Sequence, residues 1–267
     1  MKQSNNKTIS IIFFGTSDFV NPVLNKLKEN FDVVKVINSP QQWNNKTIEQ
    51  LSNLNPDLFV VVSYGQILPK KLLDIPKLAA INIHPSLLPK YRGSTPVQTA
   101  ILNGDKTTGV TIIKLDEHMD HGPIIEQFEE PILPTDTFES LIQRLFEKSA
   151  DALVHVIMHY NENKLKPQNH SKATFTKLLK RDDGYINLSL LEIGNWKLEI
   201  DRKIRAYYPW PGVWVKTIVS EKNEKIIKFL PNKKIQVEGK KEMSYKDFLN
   251  GYPDADSQLR LFLEKNV

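Results

Sequence analysis

Leu58 to Val62, LFVVV, is an unbroken apolar run rich in β-branched residues and ending at Tyr64-Gly65. A strand with one wet face alternates apolar and polar residues, so a continuous run demands cover on both faces. Ile9 to Phe14, stopping at Gly15, has the same character, and Phe31 to Ile37 and Ala79 to Ile83 read as two further strands. Between them lie helical spacings: Val20, Val23, Leu24 and Leu27 share one face, and Ile48, Leu51 and Leu54 recur by threes. Strands alternating with helices predict an α/β fold, a Rossmann-like, mostly parallel sheet with helices on both faces.

Val110 to Leu115 and Ile124 to Phe128 read as two more strands, flanking the turn DEHMDHGP. Asp136, with Glu139 three residues on, is the expected cap of a long helix whose apolar set is Phe138, Leu141, Ile142, Leu145, Phe146, Leu153, Val156 and Ile157. After Tyr160 the stretch NENKLKPQNHSKATF is polar and lacks periodicity, as a linker does. Ile193, Trp196, Ile200 and Ile204 predict another helix, ended by PWPG at Pro209 to Gly212. Val213 to Val237 is a set of short alternating runs, and Tyr245 to Leu249 a final helix. The expected organisation is a catalytic domain over 1–165, a linker over 166–180 and a small β-rich domain over 181–267.

The 267 residues contain no cysteine, which excludes disulfides, thiolate nucleophiles and cysteine-based metal sites. The net charge of +5 suits an anionic partner such as nucleic acid, a nucleotide sugar or a polyglutamate tail, and equally a lysine-rich solvated surface. No stretch approaches the roughly 18–20 apolar residues that span a membrane. The opening MKQSNNKTIS is polar, and the apolar run after it is too short for a signal peptide, so a cytoplasmic protein without a membrane partner is expected.

The chemistry concentrates in residues 81–93, INIHPSLLPKYRG. Asn82 and His84 alternate with Ile81 and Ile83 at the carboxyl end of a buried strand, so both project to one side. Ligands of open parallel sheets bind at the carboxyl ends of strands. An amide NH2 and an imidazole N–H side by side there form a donor pair for developing negative charge. Asp120, in the turn between two apolar runs, would hold the protonated imidazole and assist proton removal if it folds back on His84. Taken singly, each of these residues is better read as a satisfied core or turn residue.

The stretch resembles the formyltransferases that use 10-formyltetrahydrofolate, and among them those acting on methionyl-tRNA, where strand and loop follow N-x-H-x-SLLP-x-x-RG. Here the pattern stands as Asn82, His84, Ser86, Leu87, Leu88, Pro89, Arg92 and Gly93. A second motif of the family is matched by Asp116, Asp120, Gly122 and Ile124. FFGTSDF, with Gly15 and Thr16, resembles the family's opening strand and turn, and SYGQILP, Ser63 to Pro69, the segment that wraps the pterin ring. The likeness runs from about residue 9 to 215, with a further match around KKEMSYKDFLNG.

The resemblance implies direct transfer with no covalent enzyme intermediate. Asn82 and protonated His84 would stabilise the tetrahedral oxyanion while Asp120 pairs with His84 and assists proton movement. It implies 10-formyltetrahydrofolate as co-substrate, held by Gln66, Ile67, Leu68, Ser86, Leu87, Leu88, Pro89 and Asp116. Acceptor contacts would come from Gly15, Thr16, Arg92, Gly93, Arg202 and Arg205. It implies no metal, action as a monomer, and a truncated OB-like C-terminal domain.

The acceptor is the open point. RKIRAYYPWPGVW, Arg202 to Trp214, resembles the start of the domain with which the tRNA enzymes contact tRNA, and its basic residues interleaved with aromatics suit phosphates and stacked bases, or an interdomain packing helix. Against this, only SPQQWNNKT, Ser39 to Thr47, stands where those enzymes carry a long basic loop, and one strand–helix unit is trimmed. Initiator methionyl-tRNA is the expected acceptor and an amino-sugar nucleotide the alternative. Other classes fit less well. Gly15 alone does not make a dinucleotide fingerprint, and Ser86 sits in no G-x-S-x-G elbow. His118 with His121, and His155 with His159, lack the glutamate of H-E-x-x-H. A non-catalytic RNA-binding protein would leave Asn82, His84 and Asp120 without a role.

Overall fold

The computed structural model describes residues 9–162, 164–188, 196–220 and 223–265. The chain divides into two compact units, one of Met1–Pro96, Thr107–Pro131 and Ile142–Lys177, the other of Val97–Lys106, Ile132–Leu141 and Leu178–Val267.

The first unit is built on six strands: β1 (Ser10–Phe14), β2 (Asp32–Ile37), β3 (Leu58–Val62), β4 (Ala79–His84), β5 (Thr107–Lys114) and β6 (Ile124–Pro131). Their order is β2-β1-β3-β4-β5-β6. The first four pair in parallel, and β5 runs antiparallel to both β4 and β6. The connection 115–123 between β5 and β6 is too short for the dozen or more residues a parallel crossover needs, so these two make a hairpin. The continuous apolar runs are buried as expected: Ile11 to Phe14, Leu58 to Val60 and Val62 are fully buried.

Helices α1 (Asn21–Asn30), α2 (Asn45–Ser52) and α3 (Lys70–Leu73) connect the parallel strands. Asn44 and Thr47 close a reciprocal capping box at the start of α2. Two helices add to those expected from the periodicity: α3 itself, and α4 (Pro96–Asn103), which begins on a proline whose missing N–H costs a first turn nothing. Helix α5 (Phe138–Met158) forms with Leu141, Leu145, Phe146 and Leu153 fully buried. Its cap is Thr137 rather than Asp136: the Ser140 N–H donates to Thr137 Oγ1 at 3.2 Å and the Thr137 N–H to Ser140 Oγ at 3.0 Å. Asp136 instead accepts from the Leu133 N–H and the Ser140 hydroxyl, bracing the turn before the helix.

The polar stretch after α5 is tied to the first unit. Lys166 exchanges both backbone hydrogen bonds with Ile124, and Arg92 donates to Thr174 O and accepts from the Thr176 N–H.

In the second unit, α6 (Trp196–Tyr207) precedes an antiparallel sheet of β7 (Val213–Ser220), β8 (Asn223–Leu230), β9 (Lys234–Val237) and β10 (Glu242–Ser244), ordered β10-β9-β8-β7. Val213, Val215, Thr217 and Val219 alternate into its core. Where one terminal helix is expected there are two, α7 (Tyr245–Gly251) and α8 (Ser257–Glu264), the second capped by Asp256. Ile193, assigned above to the helix before PWPG, lies outside the described residues. Among the described residues no helix is long and apolar enough to cross a membrane.

Candidate active site

Asn82, paired with Val61 of β3 and Ile113 of β5, and His84, paired with Thr111 of β5, lie two apart at the end of β4, and both line a cavity of about 340 Å³ bordered also by Val61 of β3 and by Ser63 just beyond it. Asp120 reaches the same cavity from the β5–β6 turn. Its Oδ1 lies 3.4 Å from His84 Nδ1 and 3.4 Å from Asn82 Nδ2, and its Oδ2 accepts the Gly93 N–H at 2.8 Å. One carboxylate thus gathers the amide, the imidazole and the loop that follows β4.

The imidazole is held at both ends. His84 Nε2 lies 2.9 Å from Tyr91 O, and a carbonyl only accepts, so that nitrogen carries a proton. The other nitrogen, Nδ1, is thereby turned toward Asp120 Oδ1, 3.4 Å away. His84 is 4% exposed, in a setting where water screens electrostatic interactions little.

Backbone strain collects here. Ser63, Tyr91 and Asp120 have φ of +46°, +63° and +49°, in the left-handed region where non-glycine residues are uncommon. Gly93 has φ +113°, and a Cβ added to it would stand 2.6 Å from Thr176 Oγ1.

The expected ligand contacts divide. Gln66, Ile67, Leu68 and Asp116 line the cavity. The Gln66 amide, however, is engaged with the Gln41 backbone, accepting its N–H at 2.9 Å and donating to its carbonyl at 3.3 Å. Ile67 is 64% exposed and Met119 43%, leaving apolar surface at the mouth. Ser86, Leu87, Leu88 and Pro89 are not lining residues, a departure from expectation with a packing cause. The Ser86 hydroxyl donates to Lys90 O at 2.6 Å, the Leu88 N–H donates to Thr111 Oγ1, and the Leu87 side chain packs over Gly109. These residues shape the loop from behind.

The residues assigned to the acceptor divide as well. Gly93 lines the cavity. Gly15 is buried, and a Cβ there would meet Phe13, Val20 and Val62 O, so close packing requires its small size. The Thr16 hydroxyl donates to Ser63 O at 2.8 Å. Arg92 is 4% exposed and donates to Gln168 Oε1 at 2.7 Å and toward His170 Nδ1 at 2.8 Å, so its guanidinium is an internal strut and not a surface contact. Burial pushes it below its ordinary value, against the pull of Asp120 and Asp116. Arg202 packs against Gly104, and Arg205 donates to Asp201 and to Asp136 O, all within the second unit.

Asp116 joins the two histidines of its turn: its Oδ2 lies 2.6 Å from His121 Nδ1, and ligand-type atoms of Asp116, His118 and His121 all lie within 4.8 Å of one another. Asp116 Oδ1 also accepts the His118 N–H at 2.9 Å. His121 also stacks on His170, ring centroids 3.9 Å apart. Sequence reasoning missed Tyr91, whose carbonyl sets the His84 ring, and Gln168, which sits in a polar run with no periodic signal.

A family model described as formyl transferase matches residues 28–157. The chain is 48% identical over 169 residues to the methionyl-tRNA formyltransferase of Chloroflexus aurantiacus, covering 62% of this chain and 53% of that protein. To the methionyl-tRNA formyltransferase of Koribacter versatilis it is 36% identical over 242 residues, covering 79% and 75%. The match spans about half the length of the first relative and three quarters of the second. Among solved structures, the methionyl-tRNA formyltransferase from Clostridium thermocellum superposes with a TM-score of 0.65 at 20% identity, covering 86% of this chain and 97% of that one. A sugar N-formyltransferase from Shewanella sp FDAARGOS_354 gives 0.62 at 22%, covering 78% and 92%. At those identities the likeness concerns the fold alone.

An amide, an imidazole and a carboxylate thus meet at the carboxyl edge of an open α/β sheet, where such sheets bind their ligands, and the matching family model and relatives make the chain a group transferase. The chain belongs to the formyltransferase family, and its curated relatives described above are methionyl-tRNA formyltransferases.

Proposed function

We propose that the protein transfers the formyl group of 10-formyltetrahydrofolate to the α-amino group of initiator methionyl-tRNA, by direct attack. The observation that carries this reading is the meeting of Asn82, His84 and Asp120 at one cavity whose mouth is apolar. Ile67, Leu68 and Met119 offer surface for the flat ring of a folate, placing its N10 formyl beside the polar trio.

The amine nitrogen attacks the formyl carbon, the carbonyl becomes an oxyanion, and the bond from carbon to N10 then breaks. Asn82 has two amide protons, so one can donate to the oxyanion while the other faces Asp120. His84 acts mainly through its positive charge, since Tyr91 O and Asp120 already hold its two nitrogens. Asp120 receives the proton the amine loses, which finally passes to N10. The methionyl-tRNA relatives and the basic, aromatic segment Arg202 to Trp214 support tRNA as the acceptor. The reading carries with it a cytoplasmic monomer with its catalytic domain in residues 1–165 and a small C-terminal domain in 181–267.

The test offers 10-formyltetrahydrofolate with charged initiator tRNA or with amino-sugar nucleotides. Formylmethionyl-tRNA should accumulate, and brisk formylation of the sugar with none of the tRNA overturns the acceptor. His84→Ala and Asp120→Asn, each still folded by circular dichroism, should lose about 10²–10³ in rate, the usual cost of removing one preorganised charged group. Unchanged turnover in both removes the catalytic assignment.

A further inference from the structure

We propose that Gln168 is a positioning residue that holds Asp120 in its working conformation. The inference rests on the reading of Asp120 given above and extends it to a residue outside the cavity. Asp120 sits at φ +49°, a conformation that persists only where its surroundings impose it. Gln168 supplies that imposition from the carbonyl side. Its Nε2 donates to Asp120 O at 2.9 Å and to Gly122 O at 2.7 Å, bracketing His121, while its Oε1 accepts from Arg92 Nη2 at 2.7 Å. The side chain is 6% exposed.

With the carbonyls of residues 120 and 122 pinned to Gln168, the Asp120 side chain is turned the other way, where the Gly93 N–H, Asn82 and His84 meet it. Only glycine fits at 122, where the chain runs so close to β5 that a Cβ would fall 1.8 Å from Lys114 O. Arg92 anchors the clamp. It is buried, donates to Gln168 and His170 through Nη2, and pairs its backbone with Thr174 and Thr176.

Only a long primary amide serves both sides. Two N–H groups are required for two carbonyls, and one oxygen for a buried cation. Glutamate keeps the oxygen and the length but has no donor, and places a carboxylate against two carbonyls. Lysine or arginine keeps donors but sets a second cation beside Arg92.

The test variant is Gln168→Glu, which preserves volume and the partner of Arg92. Its kcat should fall about 10- to 100-fold, in line with the loss from displacing a reacting group by about 1 Å, while KM for 10-formyltetrahydrofolate stays within about twofold. The Gly93 amide proton, which donates to the Asp120 carboxylate at 2.8 Å, should resonate upfield of its wild-type position in the variant. Gln168→His retains one donor and one acceptor and should give an intermediate kcat. If Gln168→Glu folds poorly, the Gly93 resonance and kcat of Gln168→His decide alone. Wild-type kcat in both variants overturns the proposal, as does a Gly93 resonance that stays in place or activity lost only in proportion to folded protein. Should Asp120→Asn prove fully active, the catalytic reading fails while the Gly93 resonance still reports on the clamp.

Discussion

Gly93 illustrates how one backbone position serves both fold and site. Its φ of +113° suits glycine alone, its N–H binds the carboxylate of Asp120, and Thr176 Oγ1 fills the space a methyl would need. Gly93→Ala should destabilise the protein by about 1–3 kcal/mol, the usual cost of a residue forced into a sparsely populated conformation, and should lower turnover as well. Urea unfolding monitored by tryptophan fluorescence checks the first, and a midpoint equal to wild type would remove the strain argument. Trp43 gives the opposite expectation. Its Nε1 is buried without a partner while its ring packs on Phe14 and Tyr64. An orphan buried donor costs about 1–3 kcal/mol. Trp43→Phe removes it at the expense of some ring contact, and should leave the melting temperature unchanged or higher.

At the scale of elements, Glu130 joins β6 to α5. It accepts from Arg144 Nε at 2.8 Å and from Lys148, with only 4% of its side chain exposed. Burial pushes its carboxyl up, but the bonds from Lys148 and Arg144 outweigh that and hold it below its ordinary value of 4.5. A depressed carboxylate stabilises the fold fully above its ordinary value and loses that contribution as pH falls through the folded value. Glu130→Gln should therefore cost about 1.5–3 kcal/mol at pH 7, the range for hydrogen bonds to charged groups, and progressively less below pH 4. Equal losses at both pH values in denaturant titrations would contradict the linkage. At the start of the same helix, Thr137→Ala should cost about 1 kcal/mol by removing the cap, and Asp136→Ala should act on the preceding turn instead.

Over the whole molecule, the net charge of +5 becomes informative only together with the proposed acceptor. Binding that neutralises phosphates releases counterions, so affinity falls steeply with salt. Methionyl-tRNA affinity should weaken at least about tenfold between 50 and 200 mM salt if a few phosphates are contacted. Filter binding across that range checks it, and a flat response would remove the phosphate contacts from the account. The two units also show why a boundary is hard to place along a chain: Val97–Lys106 and Ile132–Leu141 group with Leu178–Val267 although they stand between segments of the first unit.

Some of this was determined locally. Strands β1, β3 and β4 follow from apolar runs that require two-sided burial, and helix α5 from sustained helical spacing, because those patterns depend on near neighbours. Asn82 and His84 were legible for the same reason, a period of two at the end of a buried strand. Their meeting with Asp120 came from family resemblance, since no local rule joins residues 38 apart. Tertiary structure alone decided the rest. It moved the cap of α5 from Asp136 to Thr137, drew Arg92 inward, and turned Ser86 to Pro89 into the back of a loop. It also set Gln168, from a stretch without periodicity, against Asp120. Those outcomes depend on which buried donors and acceptors find one another across the fold, and a hydrogen bond between distant residues leaves no period in the chain.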